Sequence, residues 1–294
     1  MYKIIIFTII TLMLSGCSLI EKFSLDSNQT QIQKQTPSKK VALLVGVSDY
    51  SPYSSDLPGI DTDITNIQSI ITKWGFDNIK ILYNKDSLKL EKELKKYQKN
   101  LKPNDIFLFF YSGHGSYTDD LNGDEADGRD ETIVLSDGSE NMHFLDDDLY
   151  YYFSHIKAKK LIMFDSCHSG TAYKSLNNKF LPKSILPKFV DKTFSTSTNI
   201  KGTDKITGEY IVLTAAQDNE ESLATANGSL FTTVLTTILN ENNSTNKSFQ
   251  TIKDEITEKI VNICQKADLP PHHPKLSTSK EELNDITIKK YLEL

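Results

Sequence analysis

The chain is poor in cysteine: Cys17, Cys167 and Cys264 are the only three in 294 residues. That is too few for the disulfide framework of a small secreted scaffold. It also lacks a basic excess. Its 33 Lys and Arg stand against 39 Asp and Glu, a net charge of −6, so there is no broad phosphate-binding surface and no nucleic-acid partner is expected. No heptad pattern is sustained and no segment repeats at a fixed period, which sets aside coiled coils and solenoids. The apolar run Ile4–Leu14 is too short to span a bilayer comfortably. What remains, with 38% hydrophobic residues, suits one sizeable globular domain or at most two.

The N-terminus is read apart from the fold. Lys3 is its only early charge, and the apolar run ends in Leu14-Ser15-Gly16-Cys17. This resembles the lipobox of bacterial lipoproteins, in which the cysteine becomes the lipidated first residue. An ordinary signal peptide or short anchor is the alternative. Residues 1–16 are then a leader, with Cys17 as the lipidation site. Residues 17–39, rich in Gln, Ser, Thr, Asn and Lys, form a flexible tether, and 40–294 form the domain. Ser18 follows the cysteine with no acidic residue there. The expected location is the bacterial envelope, with the chain lipid-anchored at the outer membrane and facing the periplasm.

From Lys40 onward the patterning alternates. Val41–Val47, Ile79–Tyr83, Asp105–Tyr111, Lys160–Asp165 and Tyr210–Ala215 read as strands. Between and after them Asp63–Trp74, Ser87–Asn100, Asp146–His155, Leu230–Leu239 and Phe249–Cys264 read as helices, with Ser87 as an N-cap. Ile286–Ile288 is expected to add a last strand. Strands apolar on both faces, alternating with helices, predict an α/β fold with a mostly parallel sheet and helices on both faces. The 44 residues between Asp165 and Tyr210 exceed an ordinary connection and predict a functional or mobile loop.

Two of these strands end in chemistry. Ile106–Gly115 reads IFLFFYSGHG and Leu161–Gly170 reads LIMFDSCHSG. In a parallel sheet, sites lie at the carboxyl ends of strands, so His114 and Cys167 are expected at one edge. A thiol attacks a carbonyl as thiolate and needs a base within reach and donors for the oxyanion. His114 is the candidate base, and the amides of Gly115 and Cys167 are the candidate oxyanion hole. His168 adjoins Cys167 in sequence, but neighbouring side chains diverge, so it is read as a supporting group. A Cys167–Cys264 disulfide is the alternative use of the thiol. Cys264 sits in an amphipathic helical stretch, which favours two free thiols.

Tyr111-Ser112-Gly113-His114-Gly115 and Asp165-Ser166-Cys167-His168-Ser169-Gly170 resemble the caspase-like cysteine peptidases. Ala42–Tyr50 with Leu57-Pro58-Gly59 and Asp63, and Val212–Phe231, are similar to flanking segments of that family. The resemblance covers residues 40–290, and DSCHSG points to its metacaspase branch. It implies a caspase-like fold, peptide or protein substrates, and a pocket for a basic P1 residue lined by Asp165, Asp63 and Ser112. Two carboxylates there would hold Arg or Lys by charge-assisted hydrogen bonds. Ile60 stands where metacaspases usually have cysteine, which loosens the reading of Asp63. The resemblance also favours a monomer.

Asp119–Glu131 holds seven carboxylates in thirteen residues. Its spacing echoes an EF-hand, but Glu125 replaces the required glycine. Many metacaspases are calcium-activated, so calcium is a candidate cofactor for activation, with Asp120, Asp124, Asp130 and Glu131 as ligands. A solvated acidic loop is the alternative. The chemistry itself requires no cofactor. Lys174, Lys179, Lys183 and Lys188 follow Cys167 and are candidate self-cleavage positions. Competing readings of the whole are a catalytically silent binding module on the same scaffold and a thiol transferase.

Overall fold

The computed structural model describes residues 38–294 except 53, 121–122, 124–127, 168–178, 195–205 and 218. Cys17, Asp124, His168 and Lys174 lie outside the described residues. Among those described, no helix is long and apolar enough to cross a membrane.

A six-stranded sheet carries the fold. In chain order its strands are β1 (Lys40–Gly46), β2 (Asn78–Tyr83), β3 (Ile106–Ser112), β7 (Lys159–Asp165), β10 (Tyr210–Thr214) and β12 (Lys275–Thr278). They lie side by side in the order β12-β10-β7-β3-β1-β2. All neighbours pair parallel except β10 and β12. Every residue of β3 is buried, as expected of a central strand covered on both faces.

Alternate residues of each strand feed two cores. Leu44, Leu108, Phe110 and Met163 pack on one face beneath α1 (Ile60–Lys73), α4 (Leu230–Leu239) and α5 (Phe249–Ala267). Leu43, Phe107, Phe109 and Ile162 pack on the other, against α2 (Ser87–Asn100) and α3 (Asp146–His155). A smaller sheet lies outside the main one, with order β4-β5-β6-β9. Its strands are β4 (Gly115–Asp119), β5 (Arg129–Ser136), β6 (Asn141–Leu145) and β9 (Lys192–Phe194). A third, two-residue pairing joins β8 (Leu181–Pro182) to β11 (Leu223–Ala224) antiparallel.

Several expectations are corrected. The N-cap of α2 is Asp86, whose side chain accepts from the Lys89 amide, and Ser87 is the first helical residue. Ile286–Ile288 is not a strand. Thr287 caps the short helix α6 (Ile288–Leu292) by accepting from the Lys290 amide, and the last strand is β12. The segment between Asp165 and Tyr210 contributes β8 and β9 among its described residues. Cys167 and Cys264 are both free and buried.

Candidate active site

Register sets the site. Gly46 of β1 lies opposite Ser112 of β3, and Ser112 lies opposite Asp165 of β7. The carboxyl ends of the three central strands are therefore level, and His114 and Cys167 each follow two residues later. Gly115 passes so close to Cys167 that a Cβ on it would lie 1.6 Å from the Cys167 carbonyl oxygen. Only glycine permits that approach.

His114 is fixed from several sides. Its amide donates to the Tyr50 hydroxyl at 2.6 Å, and the two rings lie 4.5 Å apart. The Tyr111 hydroxyl binds the His114 carbonyl at 2.7 Å. The ring Nε2 lies 2.9 Å from the Ser55 carbonyl oxygen. A carbonyl only accepts, so Nε2 carries the proton and Nδ1 is left as the basic nitrogen. Among the described residues Nδ1 has no hydrogen-bond partner. Burial lowers the imidazole pKa to about 4, so the ring is neutral at pH 7. The Cys167 thiol is pushed up, mainly by burial and then by the Glu221 carboxylate. Its Sγ accepts from the Ser222 amide at 3.1 Å.

One segment of the chain itself runs through this cleft. The Lys183 carbonyl oxygen accepts from the Gly115 amide at 2.9 Å and the Cys167 amide at 3.3 Å. The Lys183 amide donates to the Ser222 carbonyl at 2.9 Å. Before it, Leu181 and Pro182 pair antiparallel with Ala224 and Leu223. After it, the Ile185 amide donates to the Gly115 carbonyl at 3.0 Å, and the Ile185 carbonyl accepts from Ser116 Oγ at 2.8 Å. This is an extended peptide added to sheet edges on both sides of one peptide bond.

The Lys183 side chain is fully buried. Its Nζ lies 2.9 Å from Asp165 Oδ1 and 3.9 Å from Asp63 Oδ2. It donates to Ser112 Oγ at 2.7 Å and Ser229 Oγ at 2.8 Å. Both carboxylates also rest on the N-terminus of α4. The Ser229 amide donates to Asp63 Oδ1 at 2.8 Å, and the Thr232 amide to Asp165 Oδ2 at 3.2 Å. Ser222 Oγ donates to Asp165 Oδ1 at 2.8 Å, and the Ser229 and Thr232 hydroxyls complete the set. Orphan amides at a helix start are suited to negative charge. Burial raises the Asp63 pKa to about 6, even though Lys183 pulls it down.

The structure thus brings together His114, Cys167, Gly115, Ser112, Asp63 and Asp165 around Lys183. Sequence reasoning missed Ser222 and Ser229, which reach the pocket from the segment between β10 and α4, and Thr232 in the first turn of α4. It also missed Ser55 and Ser116. Of the acidic candidates, Asp124 lies outside the described residues. Asp120 Oδ1 accepts from the Gly123 amide at 2.6 Å, and Asp130 and Glu131 are consecutive on β5 and point to opposite faces. Among the described residues no group of three or more His, Cys, Asp or Glu side chains could hold a metal ion.

A family model described as the caspase domain matches residues 39–280. Metacaspase-1 of Kluyveromyces lactis is 30% identical over 224 residues, covering 71% of this chain and 49% of its own length. Metacaspase-1 of Meyerozyma guilliermondii is 34% identical over 148 residues, covering 46% and 36%. The chain thus spans half or less of the length of these curated relatives. A crystal structure of a Geobacter sulfurreducens protein superposes with TM-score 0.67 at 23% identity, covering 85% of this chain and 97% of that one. Caspase-1 from Spodoptera frugiperda gives TM-score 0.54 at 14% identity, covering 82% and 86%. Both likenesses concern the fold.

Proposed function

Starting from the chain's membership of the caspase-domain family, which the match over residues 39–280 establishes, we propose that it is a cysteine endopeptidase that cuts after lysine or arginine. We further propose that it cuts itself first, between Lys183 and Ser184. One observation carries this reading: Lys183 lies in the cleft as a substrate residue would. Its carbonyl is on two amides and its ammonium faces two buried carboxylates.

In this mechanism Cys167 Sγ attacks the Lys183 carbonyl carbon and its proton passes to His114 Nδ1. The C–S bond forms as the oxygen takes up negative charge between the Gly115 and Cys167 amides, where preorganised donors favour it. The Lys183–Ser184 C–N bond then breaks, and the Ser184 amine leaves with the proton from His114. Water, deprotonated by Nδ1, hydrolyses the thioester and restores the thiol. The Ser55 carbonyl holds the imidazole in the tautomer that leaves Nδ1 free to act. A substrate arginine would meet the same two carboxylates with a fork of donors.

Anchoring of this activity to the envelope through lipid on Cys17 is part of the same proposal and rests on the N-terminal sequence. The deciding experiment compares fluorogenic peptides ending in Arg, Lys or Asp, with Cys167→Ala as control. Cys167-dependent release after Arg and Lys is expected. Preferential release after Asp would overturn the pocket reading, and no turnover of any peptide would overturn the peptidase reading.

A further inference from the structure

The segment through the cleft is held unequally on its two sides. On the acyl side, Lys183 itself is held by its ammonium, amide and carbonyl, but behind it Leu181 and Pro182 are only half-buried and rest on a two-residue pairing. On the amine side, the chain is built into the domain. Ile185 is 4% exposed and belongs to the core on the α2 and α3 face of the main sheet. Its amide and carbonyl are both hydrogen-bonded, to Gly115 and Ser116. Ser184 Oγ donates to Glu221 Oε1 at 2.8 Å.

Farther along, the Asp191 amide donates to the Asn141 carbonyl at 2.9 Å, and the Asn141 amide donates to Asp191 Oδ2 at 2.8 Å. The buried Asn141 side chain donates to the Phe189 carbonyl at 2.9 Å. Then β9 pairs with β6, and Phe194 stacks on Phe144 at 5.1 Å. None of these contacts involves the Lys183–Ser184 bond, so cutting that bond leaves every one of them in place.

We infer that the amine half, Ser184–Phe194, is a retained leaving group. After self-cleavage the acyl half vacates its side of the cleft, while the new N-terminus at Ser184 stays docked where a substrate's residues beyond the cut would bind. The processed enzyme is then open to the acyl side of a substrate and blocked by its own chain on the other. A protein substrate must displace Ser184 and Ile185 before it can be cut, which makes a second latch after the first. This inference rests on the self-cleavage proposed above.

Two measurements test it. The first compares processed wild type with processed Ser116→Ala on two substrates. One is Leu-Pro-Lys-aminocoumarin, which has nothing of size beyond the cut. The other is an internally quenched peptide continuing Ser-Ile-Leu-Pro beyond the lysine. Wild type is expected to favour the short reporter. Ser116→Ala removes one hydrogen bond from the docked Ile185 and should narrow that preference about three- to tenfold. If substrate residues bind there instead of the chain's own, the same variant loses a substrate contact and the preference widens, which would overturn the inference.

The second measurement follows amide hydrogen exchange in Cys167→Ala, which cannot cut itself. The Ile185 and Asp191 amides should exchange at least tenfold more slowly than the Lys183 amide, because opening the acyl half alone frees only the latter. Equal protection across Lys183 and Ile185 would also overturn the inference. Failure of the parent reading is distinguishable. It would appear as no Cys167-dependent turnover of the short reporter, and the exchange result would still decide how the segment is anchored.

Discussion

Replacing Lys183 by glutamine keeps a hydrogen-bonding side chain, one atom shorter, and removes its charge. Two contributions are lost. The bond from Nζ to Asp165 Oδ1, at 2.9 Å between fully buried groups, is charge-assisted and worth about 1.5–3 kcal/mol. Asp63, at 3.9 Å from Nζ, loses its counter-charge, but its pKa of about 6 limits the penalty. With the Lys183 charge gone its pKa rises further, so taking up a proton at pH 7 costs at most about 1.4 kcal/mol. The sum is roughly 2–4 kcal/mol, so cleavage of the bond after residue 183 should slow by a factor on the order of 10–10³. Lys183→Arg keeps the charge and adds donors, and should stay within about tenfold of wild type. Each chain can be made by cell-free synthesis and its self-cleavage followed over time by intact mass. Cleavage of the glutamine variant after residue 183 at the wild-type rate would refute the reasoning. So would an arginine variant as slow as the glutamine one.

Further outcomes follow from the same geometry. A docked cation and a proton compete for Asp63, whose pKa is about 6 with Lys183 in place and is raised by burial. The KM for lysyl peptides should therefore rise as pH falls through about 6, and a flat profile from pH 5 to 8 would contradict this. Tyr50→Phe keeps the ring against His114 but leaves the buried His114 amide without its acceptor. It should cost about 1–3 kcal/mol in urea unfolding and lower kcat, and an unchanged unfolding midpoint would count against the contact. Cys17→Ser should move the protein from the membrane to the soluble fraction of a bacterial host, and unchanged fractionation would rule out a lipid anchor there.

Much of the frame was legible because it is local. Ile106–Ser112 and Lys159–Asp165 are short apolar runs closed by small polar residues, and α3 has the bounds its pattern predicts. The shared level of Ser112 and Asp165 follows from the parallel sheet once both strands are recognised. The small sheet was hidden because β4 and β5 flank the acidic run. There, carboxylates and glycines mask the alternation that marks a strand. The C-terminal edge was misjudged for a related reason. Ile286–Ile288 is short and apolar, but Thr287 is a helix cap, whereas β12 alternates half-buried and exposed residues and is recognised by pairing with β10. Lys183 is one of seven lysines between Cys167 and Tyr210. Its local sequence, Leu-Pro-Lys, recurs at Leu186-Pro187-Lys188. What singles it out is docking to Asp63, Asp165 and Ser222, which lie far away in the chain.

The same docking that gives Lys183 a substrate's geometry also explains why the cleft is quiet while it is occupied. Burial beneath the segment raises the Cys167 thiol pKa and lowers that of His114 to about 4. Neither group is then charged at neutral pH, Sγ is engaged by the Ser222 amide, and Nδ1 has no partner among the described residues. A thiolate needs solvation or a nearby cation, and in the occupied cleft burial and the Glu221 carboxylate outweigh the pull of the Lys183 ammonium. Removing the acyl half admits water to the thiol and reverses the largest cause of its raised pKa. Alkylation by iodoacetamide at pH 8 measures this directly, with Cys264→Ser present so that one thiol in the domain reports. Intact His114→Asn protein, which cannot cut itself, should react at least tenfold more slowly than processed wild type. Equal rates would mean that the segment does not shield the sulfur, and that its substrate-like pose is not what holds the enzyme in check.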